Sequence, residues 1–564
     1  MKRLATCLAL SLCVLTIPTL LSAQISPTHK VSHVLLISVD GLHALDLTNY
    51  IASHPDSTLA QLSSSGIAYD NASTSQPSDS FPGLTALVTG GSPTTAGFWY
   101  DVTYNHQTSP PKSTTPYIAA VGTPGGPCPG SLTPGRQVGG VVEYDEAIDS
   151  DLKQLSGGAL VNGMPINPNF LPRDPFNNCE PIYPHQYLRV NTIFEVVKFH
   201  GGYTAWTDKH PSYEWTKGPS GFGVDDFYGP EINSVPVALS STMLPSLPTT
   251  APFPKCTPVN FVDSTVDDGW TTNLLNIQCY DFTHVQAVLN QINGLTHDGS
   301  RRAPIPTLFG TNFQSVSVGE KLSACGTSAA GYPWCAGQNG YTDVLGTASA
   351  GLTSELDFVD ASLGLMVAAL QKTGVYNQTL IIVGAKHGQS PVDITKRKGI
   401  GNGQPGTLLG TYEAFDISDD GSLIWLADQT KTNDVVKLLS EPSSQATLGI
   451  QEIFAGPAML DKFNNPLVDP RTPDIVLKTN TGVIFTGGSK LAEHGGLNED
   501  DTHVALLASM PGIAAKHVKT YVLNQQVAPS IVKALGIDPS ELEAVQEEGI
   551  TTLPSLIESL PSSF

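Results

Sequence analysis

"HVLLISVDG", residues 33 to 41, is a near-continuous apolar run that halts at Asp40 and Gly41. A strand without polar alternation is apolar on both of its faces and needs cover on both, which is the situation of a central strand in a parallel sheet. "TLIIVGAKHG" (379 to 388) and "THVALLAS" (502 to 509) read the same way. Between them Leu352, Leu356, Val359, Leu363, Met366, Val367 and Leu370 recur at three- and four-residue steps, and Gly374 closes that helix. "VNTIFEVVKFHGGYTAWTDKHP" (190 to 211) reads as a helix, a Gly-Gly turn and a strand. Strands alternating with helices predict an α/β fold: a doubly wound, mostly parallel sheet sandwiched by helices.

The chain has 564 residues, compatible with one large α/β unit carrying insertions. Residues 1 to 23 combine Lys2-Arg3, a short apolar run and small residues at Ser22 and Ala23, the pattern of a secretory signal cut near Ala23. The expectation is a secreted or periplasmic protein, a single domain over 24 to 564. No later stretch of eighteen apolar residues occurs, so no membrane span is expected. The formal charge is −22, and loss of Lys2 and Arg3 takes it to −24. That balance argues against binding a nucleic-acid duplex or an anionic membrane, and an anion site must create its own positive field. Residues 101 to 188 and 217 to 340 are rich in Pro, Gly, Ser and Asn and hold all six cysteines beyond the signal. They read as cap insertions stapled by disulfides. Of the fifteen possible pairings, the sequence neighbours Cys325/Cys335 and Cys256/Cys279, leaving Cys128/Cys179, are the set adopted.

Ligands of an open α/β sheet bind beyond the carboxyl ends of its strands, where Asp40 and His387 fall. Each has a bland reading: an aspartate there caps a helix, and a Lys-His pair marks a strand reaching solvent. Ser80 in "QPSDSFPGLTALVTGG" begins a helix with Pro82 in its first turn. A lone serine there is most often an N-cap. The same geometry turns backbone N–H groups and the positive end of the helix dipole toward a phosphate and makes the hydroxyl a candidate nucleophile.

In order, "VDG", a serine before "FP" and a "TG" helix, an aspartate, a "HG" strand end and a late "HGG" resemble the alkaline phosphatase superfamily. They are most similar to its type I phosphodiesterase/nucleotide pyrophosphatase branch, over about 30 to 100 and 340 to 540. The resemblance implies two metal ions, usually zinc, that hold a phosphate while a serine or threonine attacks in line. It assigns Asp40, Ser80, Asp343, His387 and His494 to the metal centre and Ser80 and His387 to catalysis, where Lys386 is expected to join them as a fixed positive charge. Such donors suit Zn²⁺, with Mn²⁺, Mg²⁺ or Ca²⁺ as alternatives.

Two departures stand out. Lys386-His387 replaces the family's Asp-His, and Asp343-Val-Leu-Gly-Thr347 replaces Asp-x-x-x-His. An ammonium cannot ligate a metal but can contact the same anion, so Lys386 is expected to stand in for one ion. The implied activity is hydrolysis of a small phosphate ester, a diester or nucleotide pyrophosphate, through a phosphoserine. A sulfate or phosphonate ester hydrolase, and an inactive anion-binding descendant, stay open. Asp208, Lys209 and His210 either reach the pocket or form a turn at His210-Pro211. Asp225 and Asp226, the acids Glu499 to Asp501 and "KRK" (396 to 398) read as solvated loops, His503 as part of a strand, and the aromatics of 97 to 104 as a stacking surface or core.

Overall fold

The structure, a computed structural model, describes residues 31–113, 139–145, 147–256, 269–326, 335 and 339–561. The signal through Ala23 and Cys128 lie outside the described residues. Eight strands form the main sheet in the order Lys516–Val518, Gly66–Tyr69, Leu506–Ser509, Thr379–Gly384, His33–Val39, Leu308–Phe313, Ala205–Thr207 and Asp226–Tyr228. His33–Val39 is parallel to both of its neighbours. Of the eight, only Leu506–Ser509 runs against its neighbours.

The apolar run behaves as its composition demands. Val34 and Leu36 face one core with Phe81, Leu84, Leu87 and Val88 of the helix Ser80–Thr89. Leu35, Ile37 and Val39 face the other with Leu352, Leu356, Val359, Leu363, Met366 and Leu370 of the helix Ala350–Thr373. All five strand residues are completely buried. Each such side chain contributes roughly 1.5–3 kcal/mol. Gly374 ends the long helix at φ 80°, as the spacing predicts.

The stretch 217 to 340 is not a cap alone. It supplies Leu308–Phe313, which pairs with His33–Val39 in the middle of the sheet, and the 19-residue helix Leu274–Ile292 that covers one face. "LFGTNF" hides its strand character behind Gly310, Thr311 and Asn312. Gly310 is required there, because a Cβ would collide with the carbonyl of Leu36. The described residues of 101 to 188 include two short antiparallel pairs, Val102–Asn105 with Gly140–Glu143 and Arg173–Asp174 with Glu180–Pro181. Cys256–Cys279 and Cys325–Cys335 are disulfide-bonded as expected, and Cys179 is bonded too.

A second, antiparallel sheet, unanticipated from sequence, orders Glu413–Ser418, Gly421–Leu426, Ile475–Thr479 and Ile450–Ala455. Beside it, Asp420 and Asp501 are completely buried, and no donor among the described residues reaches any of their four carboxylate oxygens. Asp501 therefore departs from its expected solvated position. A Cβ on Gly496 would lie 2.7 Å from an oxygen of each, so the two carboxyls close around that glycine. Burial, then the neighbouring Asp501, raises Asp420 well above the usual carboxylate range, and burial raises Asp501 to about 7. The fold thus keeps protons that the unfolded chain releases above about pH 4, and stability falls as pH rises from there through about 7. Asp420→Asn removes one charge and provides a donor for Asp501. It is expected to stabilise the protein by about 1–3 kcal/mol at pH 8 and to confer no gain at pH 4, read by denaturant unfolding at both. A variant that loses stability at pH 8 would contradict this account.

Candidate active site

Four neighbouring parallel strands deliver side chains to one edge. Asp40 follows His33–Val39, Asp208 and Lys209 follow Ala205–Thr207, Gln314 follows Leu308–Phe313, and Lys386 and His387 follow Thr379–Gly384. Gly41 makes the exit possible: its φ is 87°, and a Cβ would press on the Glu320 carboxylate at 2.8 Å. Its N–H bonds the His387 carbonyl at 3.1 Å, tying two strand ends together.

Ser80 opens its helix, but the capping role belongs to Asp79, whose carboxylate accepts the Phe81 N–H at 3.0 Å. The serine hydroxyl is left for other partners. His387 Nε2 lies 3.4 Å from Ser80 Oγ and 3.5 Å from Asp40 Oδ2. His387 Nδ1 sits 2.9 Å from the Gly388 carbonyl, which can only accept, so the ring proton is on Nδ1 and Nε2 is a free base. Burial, against the pull of Asp40, lowers the His387 pKa and keeps the ring neutral at neutral pH. His494 stacks on it with centroids 3.9 Å apart. Burial, then His387 and Lys321, drive the His494 pKa well down, and Lys321 Nζ donates to its Nδ1 at 3.0 Å.

The structure therefore brings Asp40, Ser80, His387 and His494 together, with Lys386 beside them. It does not bring in Asp343, whose carboxylate accepts the N–H groups of Leu345 and Thr347 within its own exposed turn. Losing the family histidine at Thr347 leaves that aspartate to close a loop.

Lys386 also differs from expectation in its partner. Its ammonium is completely buried, 2.8 Å from Asp208 Oδ1 and 4.3 Å above the Tyr213 ring, with no hydrogen bond to Ser80 among those described. Lys209 reaches the serine instead: Nζ donates to Ser80 Oγ at 3.0 Å and lies 3.9 Å from Asp40 Oδ2. Burial depresses the Lys209 pKa, but Asp40, Asp145, Asp101 and Asp79 outweigh it, so the ammonium is held charged well beyond its ordinary range. For Asp40, Lys386, His387 and Lys209 outweigh burial and keep the carboxyl ionised. Asp79, pushed up to about 7 by burial, and Asp101, raised well above its usual range by burial and Asp79, temper the negative charge.

Lys321, Gln314, Asp101 and Asp145 carry no motif that could have flagged them. Gln314 donates to Asp40 Oδ2 at 2.5 Å, and Asp145 pairs with His210 at 2.9 Å. The other sequence candidates are absorbed structurally. Asp225 pairs with Lys198 at 2.6 Å, Asp226 with His297 at 2.7 Å, and Phe98, Trp99 and Tyr100 are core. Lys398 and Lys396 are exposed, and His503 lies in a short strand as read.

The two-ion centre implied by the resemblance does not fit these residues. Asp343 is elsewhere, Lys386 offers an ammonium where the family has a carboxylate, and Lys321 takes one of the two nitrogens of His494. An ion bonded to Ser80 Oγ at about 2 Å would lie within about 5 Å of the Lys209 ammonium, a repulsion of roughly 7 kcal/mol or more at an effective dielectric near 20. Asp40 Oδ1 and Asp79 Oδ1 lack a donor among the described residues, and two such oxygens make no ligand sphere for a pair of ions. Elsewhere, His43, Asp46 and Glu320 have metal-capable atoms within 4.8 Å of one another. Tyr341 hydroxyl bridges all three at 2.8–3.0 Å, closing them into a hydrogen-bonded network.

A mostly parallel sheet with an aspartate, a histidine and a helix-opening serine converging at its strand ends is a fold of the alkaline phosphatase kind. The family model for type I phosphodiesterase/nucleotide pyrophosphatase matches residues 34–118 and 340–504. Over those two stretches the chain is similar to this family of phosphoester hydrolases. Among solved structures it is similar to murine ectonucleotide pyrophosphatase/phosphodiesterase 5, at 12% identity over 94% of this chain and 100% of that one, with a TM-score of 0.51. It is also similar to the alkaline phosphatase PafA, at 13% identity over 91% and 96%, with a TM-score of 0.53. No curated protein matches it in sequence.

Proposed function

We propose that this chain hydrolyses small phosphodiesters or nucleotide pyrophosphates by covalent transfer to Ser80. The observation that carries the reading is the placement of Ser80 Oγ between a free imidazole nitrogen, His387 Nε2 at 3.4 Å, and an ammonium donor, Lys209 Nζ at 3.0 Å. The neutral ring accepts the serine proton as Oγ bonds to phosphorus and the ester P–O bond breaks. Asp40 Oδ2, 3.5 Å from the same nitrogen, stabilises the imidazolium that results. That proton then passes to the departing alkoxide. In the second half, water attacks the phosphoseryl phosphorus and gives its proton to His387, the Oγ–P bond breaks, and His387 returns that proton to Ser80 Oγ. The helix N-terminus adds its partial positive charge to the equatorial oxygens.

No step in this mechanism uses the zinc implied by the resemblance. Export through the amino-terminal signal belongs to the same reading, supported by disulfides that suit an oxidising compartment. The test is direct trapping. Protein mixed with bis(p-nitrophenyl) phosphate, quenched in acid and mapped by mass spectrometry is expected to carry the phosphoryl adduct on the peptide containing Ser80. An adduct on another residue, or turnover with no adduct at any quench time, would remove Ser80 as nucleophile.

A further inference from the structure

We propose that the ammonium of Lys209 replaces the family's metal ions, so that phosphoryl transfer at this site is independent of divalent cations. The inference rests on the Ser80 reading and extends it to the agent that activates the hydroxyl and receives the phosphate.

Three lysines occupy the surroundings of groups that would otherwise face metal. Lys209 Nζ donates to Ser80 Oγ and sits 3.9 Å from Asp40 Oδ2. Lys386 Nζ, in the position of a lost carboxylate ligand, is fixed 2.8 Å from Asp208 over the Tyr213 ring. Lys321 Nζ donates to Nδ1 of His494 at 3.0 Å and pairs with Glu493 at 3.1 Å. They come from three separate strand-end or helix-end segments, so one substitution does not account for the pattern. A zinc ion would do two things for a serine nucleophile: stabilise the oxyanion as its proton leaves, and neutralise the phosphate. An ammonium 3.0 Å from Oγ does the first by charge-assisted hydrogen bonding, and its remaining N–H groups can do the second. Lys209 donates to Oγ while His387 Nε2 takes its proton, so the two divide the work without sharing a proton. The negative charge that faces Lys209 comes from Asp40, 3.9 Å away, and from Asp145, which His210 keeps ionised.

The experiment uses full-length purified protein. Metal content is measured by plasma mass spectrometry, turnover of bis(p-nitrophenyl) phosphate is measured with excess EDTA and with added zinc, and inorganic phosphate binding is measured by calorimetry in EDTA. The expected result is less than a tenth of an equivalent of any divalent transition metal, turnover changed less than twofold by EDTA, and phosphate binding that persists in EDTA. Lys209→Met is expected to lower kcat/KM at least a hundredfold and weaken phosphate binding at least tenfold. Lys209→Arg, which keeps the charge against the same acids, is expected to restore phosphate binding to within threefold and serves if the methionine variant does not fold. Ser80-dependent turnover that EDTA abolishes and zinc restores overturns the inference while leaving the Ser80 reading intact. Turnover that survives in Ser80→Ala overturns that reading instead. If no ester is turned over, the calorimetry decides: phosphate that fails to bind in EDTA, or binds equally well to Lys209→Met, overturns the role of the lysine.

Discussion

Ser80→Ala is expected to lower turnover of an aryl phosphodiester by a factor on the order of 10³–10⁶. The change removes one oxygen from a completely buried position and leaves the helix cap, which belongs to Asp79, in place. Folding should therefore be unaffected, and thermal unfolding within about 1 °C of the parent would establish that. Lys209 and the helix N-terminus remain, so phosphate should still bind with little change. The combination of intact fold, intact anion binding and absent turnover separates a nucleophile from a merely structural serine. It also separates an enzyme from the inactive anion-binding descendant that two lost ligand positions would otherwise suggest, since that protein would show no turnover to lose. An undiminished rate in Ser80→Ala would end the covalent mechanism.

The second large effect is expected from Gly83→Ala. Alanine in a helix interior is ordinarily better than glycine by roughly 0.5–1 kcal/mol. Here the sign reverses, because an added Cβ would overlap the backbone carbonyl of Lys386. That clash is with main chain and cannot be relieved by a rotamer, so the helix carrying Ser80 and the strand end carrying His387 must move apart. A loss of about 3 kcal/mol is expected. A displacement near 1 Å between Ser80 Oγ and His387 Nε2 would lower kcat about a hundredfold. Thermal unfolding and single-turnover kinetics read the two consequences separately. A variant as stable and as fast as the parent would show that the close approach of helix and strand end is dispensable.

Much of this arrangement is legible from the chain alone, and the limits have physical causes. Asp40, Ser80 and His387 are signalled locally, because an apolar run that stops and a helix that starts are properties of a few adjacent residues. Lys209 sits in a segment, "TDKHP", that reads equally as turn or pocket, and only the neighbouring strand decides between them. Lys321 and Gln314 come from the stretch around Leu308–Phe313, whose glycine and polar residues mask a central strand. Asp343 shows the opposite failure: a motif spacing carried over after its histidine partner had gone points to a residue that now serves its own turn. The second sheet was not legible as a unit because its outer strands, Glu413–Ser418 and Ile450–Ala455, are partly exposed, and its buried inner strands, Gly421–Leu426 and Ile475–Thr479, are separated along the chain by residues 427 to 474. Asp501 looked solvated for the plain reason that it follows two other acids, and its burial depends on Asp420 from the distant second sheet.

The pairing of His33–Val39 with both Leu308–Phe313 and Thr379–Gly384 bears on how the protein is made. The segment that ends at Asp40 leaves the ribosome early, yet its two sheet partners emerge only after some tens of seconds at roughly 5–20 residues per second. In that interval an uncovered, two-sided apolar ribbon has nothing native to join, and any cellular factor that shelters nascent chains would be needed most at its amino-terminal end. Shortening the intervening loops would not help, since one of the missing partners is encoded within them.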